Sequence, residues 1–88
     1  MILSISPGAE KKFKSLSKID QIIISKKIRS LPHTQKIQNE EKLKGYTNIY
    51  RVRVGSFRIV YRKTIDESYI ILIGHRKDIY KSLKRILG

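Results

Sequence analysis

The apolar positions of the chain change their period several times, and each change marks an element. Residues 1–6, MILSIS, read as a short opening strand, and Ser6 followed by Pro7 supplies an N-cap and a first helical residue. Ala9, Phe13 and Leu16 then recur at helical spacing while Lys11 and Lys14 point away, which predicts an amphipathic helix over 8–16 with a cationic outer surface. Ser17 and Asp20 are spaced as in a capping box that restarts the helix after a break, so a helical hairpin is expected. The second helix, residues 18–31, carries two apolar stripes: Ile19, Ile22 and Ile23 on one side, and Ile24, Ile28 and Leu31 on another. One stripe is expected to meet a sheet and the other the first helix. Pro32 ends the segment, and residues 33–44, polar and followed by Gly45, read as a long connection.

Between residues 49 and 63 the period becomes two. Arg51 and Arg53 alternate with Tyr50, Val52 and Val54, as in a strand with one buried face, and Gly55 with Ser56 reads as a two-residue hairpin turn of the glycine-first type. That turn pairs Val54 with Phe57, Arg53 with Arg58, Val52 with Ile59 and Arg51 with Val60. Tyr50, Val52, Val54, Phe57, Ile59 and Tyr61 then share the apolar face, and Arg51, Arg53 and Arg58 the opposite one. After a turn at Asp66, Glu67 and Ser68, the apolar run from Tyr69 to Ile73 predicts a central strand covered on both faces and ending at Gly74. Residues 77–87 place Ile79, Leu83 and Ile86 at helical spacing, a short C-terminal helix with a basic outer face. The fold class is therefore α+β, in the order β-α-α-β-β-β-α, within one domain spanning residues 1–88.

Charge narrows the function. The 88 residues hold 20 Lys and Arg against 7 Asp and Glu, a formal +13, with ten basic residues in each half of the chain. The folded surface itself is basic, and polyanions are its natural partners. Forty per cent apolar residues are too many for a disordered basic tail. With no cysteine, two distant histidines and scattered carboxylates, neither a disulfide framework nor a metal or haem cofactor is expected. The N-terminal charges follow a short apolar stretch, the reverse of a secretory signal, and no apolar run approaches membrane-spanning length, so a cytoplasmic protein is expected. The C-terminal helix is too short, and its apolar stripe too committed to the core, to suggest a membrane surface.

The arginines carry the candidate chemistry. Like charges directly across a strand pair cost stability, so Arg53 opposite Arg58 with Arg51 alongside calls for an external anion, unless Glu41, Asp66 or Asp78 pairs with them or they splay into water. Guanidinium groups offer planar donor forks to phosphate oxygens, suited to a nucleic-acid backbone or to the charge that develops in phosphoryl transfer. Arg76 and Tyr80 follow the last strand, where site residues often sit; Tyr80 reads either as a stacking and proton-exchanging group or as a core-edge residue beside Leu83. His75 adjoins Arg76, and His33 reads as a solvated loop residue. Paired carboxylates, a Ser-His-Asp order and a glycine-rich phosphate loop are all lacking. Lys11, Lys14, Lys26, Lys27, Arg29, Lys36, Lys42 and Lys44 are individually solvated surface that together could track an RNA backbone.

The segments KLKGYTNIYRVRVGSFRIVYR, Lys42 to Arg62, and IILIGHRKDIY, Ile70 to Tyr80, resemble the most characteristic stretch of RelE-type toxins, of the RelE/ParE superfamily of type II toxin–antitoxin modules. The resemblance implies a RelE-like fold, an antiparallel sheet with an N-terminal helical hairpin on one side and a short C-terminal helix. It further implies a toxin that inhibits translation: an endoribonuclease cutting mRNA in the ribosomal A site, without a metal, by attack of a ribose 2′-hydroxyl on the adjacent phosphate. Carried over by position, Arg51 and Arg53 match two basic strand residues used in catalysis, often lysines; Arg58 matches the hairpin arginine, Arg76 the arginine after the last strand and Tyr80 the catalytic tyrosine. Lys42, Lys44, Lys26, Lys27 and Arg29 are the expected RNA and ribosome contacts. A guanidinium does not surrender its proton at ordinary pH, so Arg51 cannot serve as a lysine base would, which leaves Tyr80, His75 or ribosomal RNA. The same scaffold also allows a ParE-like inhibitor of DNA gyrase, which usually lacks this Arg/Tyr set, and a non-catalytic RNA-binding module. The expected partners are the ribosome, mRNA and an acidic, RelB-like antitoxin with apolar anchors, for which the surplus stripe of the second helix is a candidate dock.

Overall fold

A computed structural model describes residues 2–31, 40–76 and 78–87. Expectations placed on Pro32, His33, Lys36 and Lys77 lie outside the described residues. The elements are β1 (Ile2–Ile5), α1 (Pro7–Lys14), α2 (Lys18–Ser30), β2 (Glu40–Lys42), β3 (Ile49–Val54), β4 (Phe57–Lys63), β5 (Glu67–His75) and α3 (Ile79–Leu87). The five strands form one sheet in the order β1-β5-β4-β3-β2. This is the expected α+β architecture with two differences. β2 lies inside what reads as a long connection, and β1 joins β5 in parallel, so the sheet is mixed rather than wholly antiparallel. No described helix is long and apolar enough to cross a membrane.

Local signals explain the helix starts. Ser6 caps α1: its Oγ accepts from the Ala9 amide at 3.1 Å and donates to the Ile71 carbonyl at 2.8 Å, which also ties the helix to β5. Ser17 caps α2 through the Asp20 amide at 3.2 Å. Of the two stripes of α2, Ile24 and Leu31 are buried and Ile28 packs against them. Ile19, Ile22 and Ile23, at 71%, 54% and 48% exposure, do not meet the first helix. Gln21 occupies that junction instead, its Nε2 donating to the carbonyls of Phe13, Leu16 and Lys14 at 3.1–3.3 Å, and this polar clamp closes the hairpin without the isoleucines.

The β3–β4 hairpin has the register read from its turn, Val54 with Phe57, Arg53 with Arg58, Val52 with Ile59 and Arg51 with Val60. Gly55 sits at φ +59°, the left-handed value that a glycine-first turn requires. Val52, Val54, Phe57, Ile59 and Tyr61 join Ala9, Ile24, Leu31, Ile70 and Ile73 in a core beneath the helical hairpin, with Tyr50 packed beside it. A second core on the other face gathers Ile49, Val60, Ile71 and Leu72 under Ile79 and Leu83 of α3, so β5 is covered on both sides. Ile86 is exposed and Leu87 packs in its place. The turn before β5 falls at Thr64–Asp66; Glu67 and Ser68 belong to the strand, where they pair with Ile2 and Leu3. A bulge leaves Ile71 unpaired between Val60↔Leu72 and Tyr61↔Ile70, so Ile71 and Leu72 both serve the α3 side.

Ile24→Ala should destabilise the protein by roughly 2–5 kcal/mol, whereas Ile22→Ala should stay within about 0.5 kcal/mol, in equilibrium denaturation.

Candidate active site

The face of the sheet that carries α3 is apolar at its centre and cationic at the open end. Arg51 and Arg53 come from β3, Arg58 from β4, Arg76 from the end of β5 and Tyr80 from the first turn of α3. With Glu41 of β2 they line a cleft of about 280 Å³. The five expected catalytic residues are therefore together. The Arg76 amide donates to the Ser56 carbonyl at 3.3 Å, which ties the end of β5 to the hairpin tip. Gly74, opposite Arg58, faces α3, where a Cβ would lie 3.4 Å from Ile79 Cδ1.

Arg51 is half-buried and bridges two groups. Its Nη2 lies 2.5 Å from Glu41 Oε2, its Nη1 donates to the Tyr80 hydroxyl, and its guanidinium carbon sits 5.4 Å from the Tyr80 ring centroid. Among the described residues, no ion pair involves Arg53, Arg58 or Arg76. Arg53 Nε reaches only the Gly55 carbonyl, at 3.4 Å, and Arg58 Nη1 the Phe57 carbonyl, at 3.2 Å. Desolvation first, then the charges of Arg53, Arg76 and Arg51, hold the Arg58 guanidinium below its ordinary pKa, with Glu41 acting in the opposite sense. The protonated form is thus disfavoured in the folded state, and an anion in the cleft would relieve that cost.

Glu41 is the residue that the reading of site chemistry did not place. Its reach to the cleft depends on β2, and its pairing with Arg51 was one of several options open to the arginines. His75, by contrast, leaves the site. It pairs with Phe57 and stacks on that ring at 4.5 Å, on the face of the sheet that carries the helical hairpin. The expected RNA contacts are dispersed. Lys42 is exposed on β2 opposite Tyr50, on the far face, and Lys44 is exposed just beyond. Lys26 and Arg29 are exposed on α2 and Lys27 is half-buried there, again across the sheet from the cleft. Among the described residues, no three His, Cys, Asp or Glu side chains could hold a metal ion together.

Residues 3–80 match the family described as ParE toxin of type II toxin-antitoxin system, parDE. The chain belongs to this toxin family. Its similar proteins include toxins of the RelE name. Toxin RelE3 of Methanocaldococcus jannaschii is 45% identical over 40 residues, a match that spans 46% of this chain and 46% of that relative, about half its length. The toxin in the RelB-RelE antitoxin-toxin complex from Methanococcus jannaschii superposes with a TM-score of 0.73 at 26% identity, over 88% of this chain and 94% of that one. The isolated E. coli RelE toxin gives 0.73 at 23% identity over 97% of each chain, a likeness of fold.

Removing the Arg58 charge should stabilise the unliganded toxin. Arg58→Gln is expected to gain a few tenths of a kcal/mol, up to about 1 kcal/mol, in thermal or urea unfolding at low salt, at every pH where the guanidinium is charged. Added phosphate should raise the melting temperature of the wild type more than that of this variant.

Proposed function

We propose that this toxin is a metal-independent endoribonuclease that cuts messenger RNA in the ribosomal A site and so inhibits translation. The reading is carried by one observation: among the described residues, Arg53, Arg58 and Arg76 stand without carboxylate partners in the same cleft as a tyrosine hydroxyl and a carboxylate. Free guanidinium groups suit the phosphate, and the other two groups suit the proton transfers. Glu41 is the only anionic side chain among the described residues lining the cleft, and it is the proposed acceptor for the proton of the ribose 2′-hydroxyl. The 2′-oxygen then attacks the adjacent phosphorus, and the P–O5′ bond breaks to leave a 2′,3′-cyclic phosphate. Arg58, Arg53 and Arg76 face the added negative charge on the phosphoryl oxygens. Tyr80 accepts a hydrogen bond from Arg51, which leaves its own O–H to protonate the departing 5′-oxygen. Arg51 holds acid and base at the two ends of one guanidinium, a role that needs no proton from it.

Lys42, Lys44, Lys26, Lys27 and Arg29 are proposed to meet the ribosomal polyanion on surfaces outside the cleft. The proposed regulator is an acidic, RelB-like antitoxin, whose apolar anchors would find Ile19, Ile22 and Ile23 exposed on α2.

Primer extension on a defined message in a cell-free translation reaction tests the proposal. The toxin should produce cuts within A-site codons that need ribosomes, and a folded Arg58→Ala variant should lose at least about 100-fold in rate. Tyr80→Phe and Glu41→Gln should each lose on the order of 10–1,000-fold. Wild-type cutting by Arg58→Ala would falsify the site assignment. No cutting by the folded, antitoxin-free wild type would favour gyrase, and a supercoiling assay would then decide.

A further inference from the structure

β2 is three residues long, lies at the sheet edge and consists of Glu40, Glu41 and Lys42. Nothing in its composition favours a strand, and a short edge strand of charged residues is prone to open locally. Yet this strand supplies the one carboxylate side chain that lines the cleft among the described residues. Its two glutamates point to opposite faces of the sheet, as neighbours in a strand must. Glu41 goes to the arginines. Glu40 goes to the other face, where its side chain is only 11% exposed. There its carboxylate receives the hydroxyl of Tyr61, a ring fully buried in central strand β4, and the Lys63 ammonium at 2.9 and 3.2 Å. Lys63 Nζ lies 4.6 Å from the Tyr50 ring centroid, and Tyr50 stacks on Tyr61 with centroids 6.0 Å apart.

We infer that Glu40 is a positioning residue: bound by Tyr61 and Lys63 on one face of the sheet, it holds β2 in register so that Glu41 meets Arg51, and through it Tyr80, on the other. The chain of contact is continuous. Glu40 is opposite Val52 and Glu41 opposite Arg51. The Leu43 amide, next after β2, donates to the Ile49 carbonyl at 2.9 Å and closes the same ladder. A shift of one residue would turn Glu41 away from the cleft and bring Glu40, stripped of Tyr61 and Lys63, and Lys42 to that face. Because the Glu40 carboxylate is spent on Tyr61 and Lys63, only Glu41 is left to serve the cleft.

The effect on rate rests on the ribonuclease reading; the effect on geometry does not. Glu40→Gln removes the charge that binds Lys63, and Tyr61→Phe removes one hydroxyl from the same cluster while keeping the ring, so it serves as the milder second variant. In the ribosome-dependent cleavage assay, each should lower the single-turnover rate about tenfold and leave the half-saturating ribosome concentration within about twofold. In a Glu41→Gln background, either change should add less than about a twofold loss, because Glu40 acts through Glu41. A full, additive loss in that background, or no loss in the parent, overturns the inference.

A second readout needs no catalysis. By NMR, Glu40→Gln should speed exchange of the Leu43 amide about tenfold and shift the Arg51 guanidinium signals, with amide exchange in β4 and β5 unchanged. An unmoved Arg51 signal overturns the inference. Should the wild type not cut RNA, the ribonuclease reading falls, and the exchange and Arg51 signals decide the role of Glu40.

Discussion

Side chains alternate between the two faces of a strand, so joining β3 to β4 through Gly55 and Ser56 commits every residue of both strands at once. The choice of face is set by burial. Each apolar side chain taken from water into the core beneath the helical hairpin is worth roughly 1.5–3 kcal/mol, and Val52, Val54, Phe57, Ile59 and Tyr61 all go there together. Bringing Arg53 opposite Arg58 costs on the order of 0.2–1 kcal/mol. Burial wins by a wide margin. The arginine face is thus held in an electrostatically unfavourable arrangement by the apolar face behind it, and desolvation first, then the neighbouring arginines, lower the pKa of Arg58.

The remaining walls of the cleft come from the neighbours of this hairpin. β5, gripped between β1 and β4, delivers Arg76 at its end, and the Ser56 carbonyl fastens that end to the turn. The bulge at Ile71 gives α3 two apolar side chains from one strand, Ile71 and Leu72, and Ile79 and Leu83 dock there so that Tyr80 projects toward Arg51. β2 closes the opposite wall. The site is assembled from four strands and a helix, each placed by contacts on apolar or polar surfaces away from the cleft. Apart from the Glu41–Arg51 pair, its charged groups are held in place by packing elsewhere rather than by one another.

The same separation decides what could be read without a structure. The helix caps at Ser6 and Ser17, the glycine turn, the hairpin register and the grouping of Arg51, Arg53 and Arg58 all follow from interactions between residues a few positions apart. That Arg76 and Tyr80 reach the same cleft was also legible, through the likeness of two segments to RelE-type toxins. β2 was not. Its three charged residues show no alternation of apolar and polar positions, and they become a strand because Tyr61 and Lys63, 21 and 23 positions from Glu40, and Arg51, 10 from Glu41, satisfy them.

Two stripes of isoleucine on α2 are equally apolar in sequence, yet one is buried and the other exposed, because Gln21 rather than Ile19, Ile22 or Ile23 fills the junction with α1. His75 and Arg76 are adjacent in the chain, yet the pairing of His75 with Phe57 sends its ring to the face away from the arginines. The sequence by itself determined the toxin family, the α+β class, the hairpin and its basic face, since alternation and turn geometry act within a few residues. Only the tertiary structure decided the parallel pairing of β1, the bulge in β5 and the entry of Glu41 into the cleft. Each of those depends on which distant partner satisfies a backbone or a charge, and short-range patterning does not encode that choice.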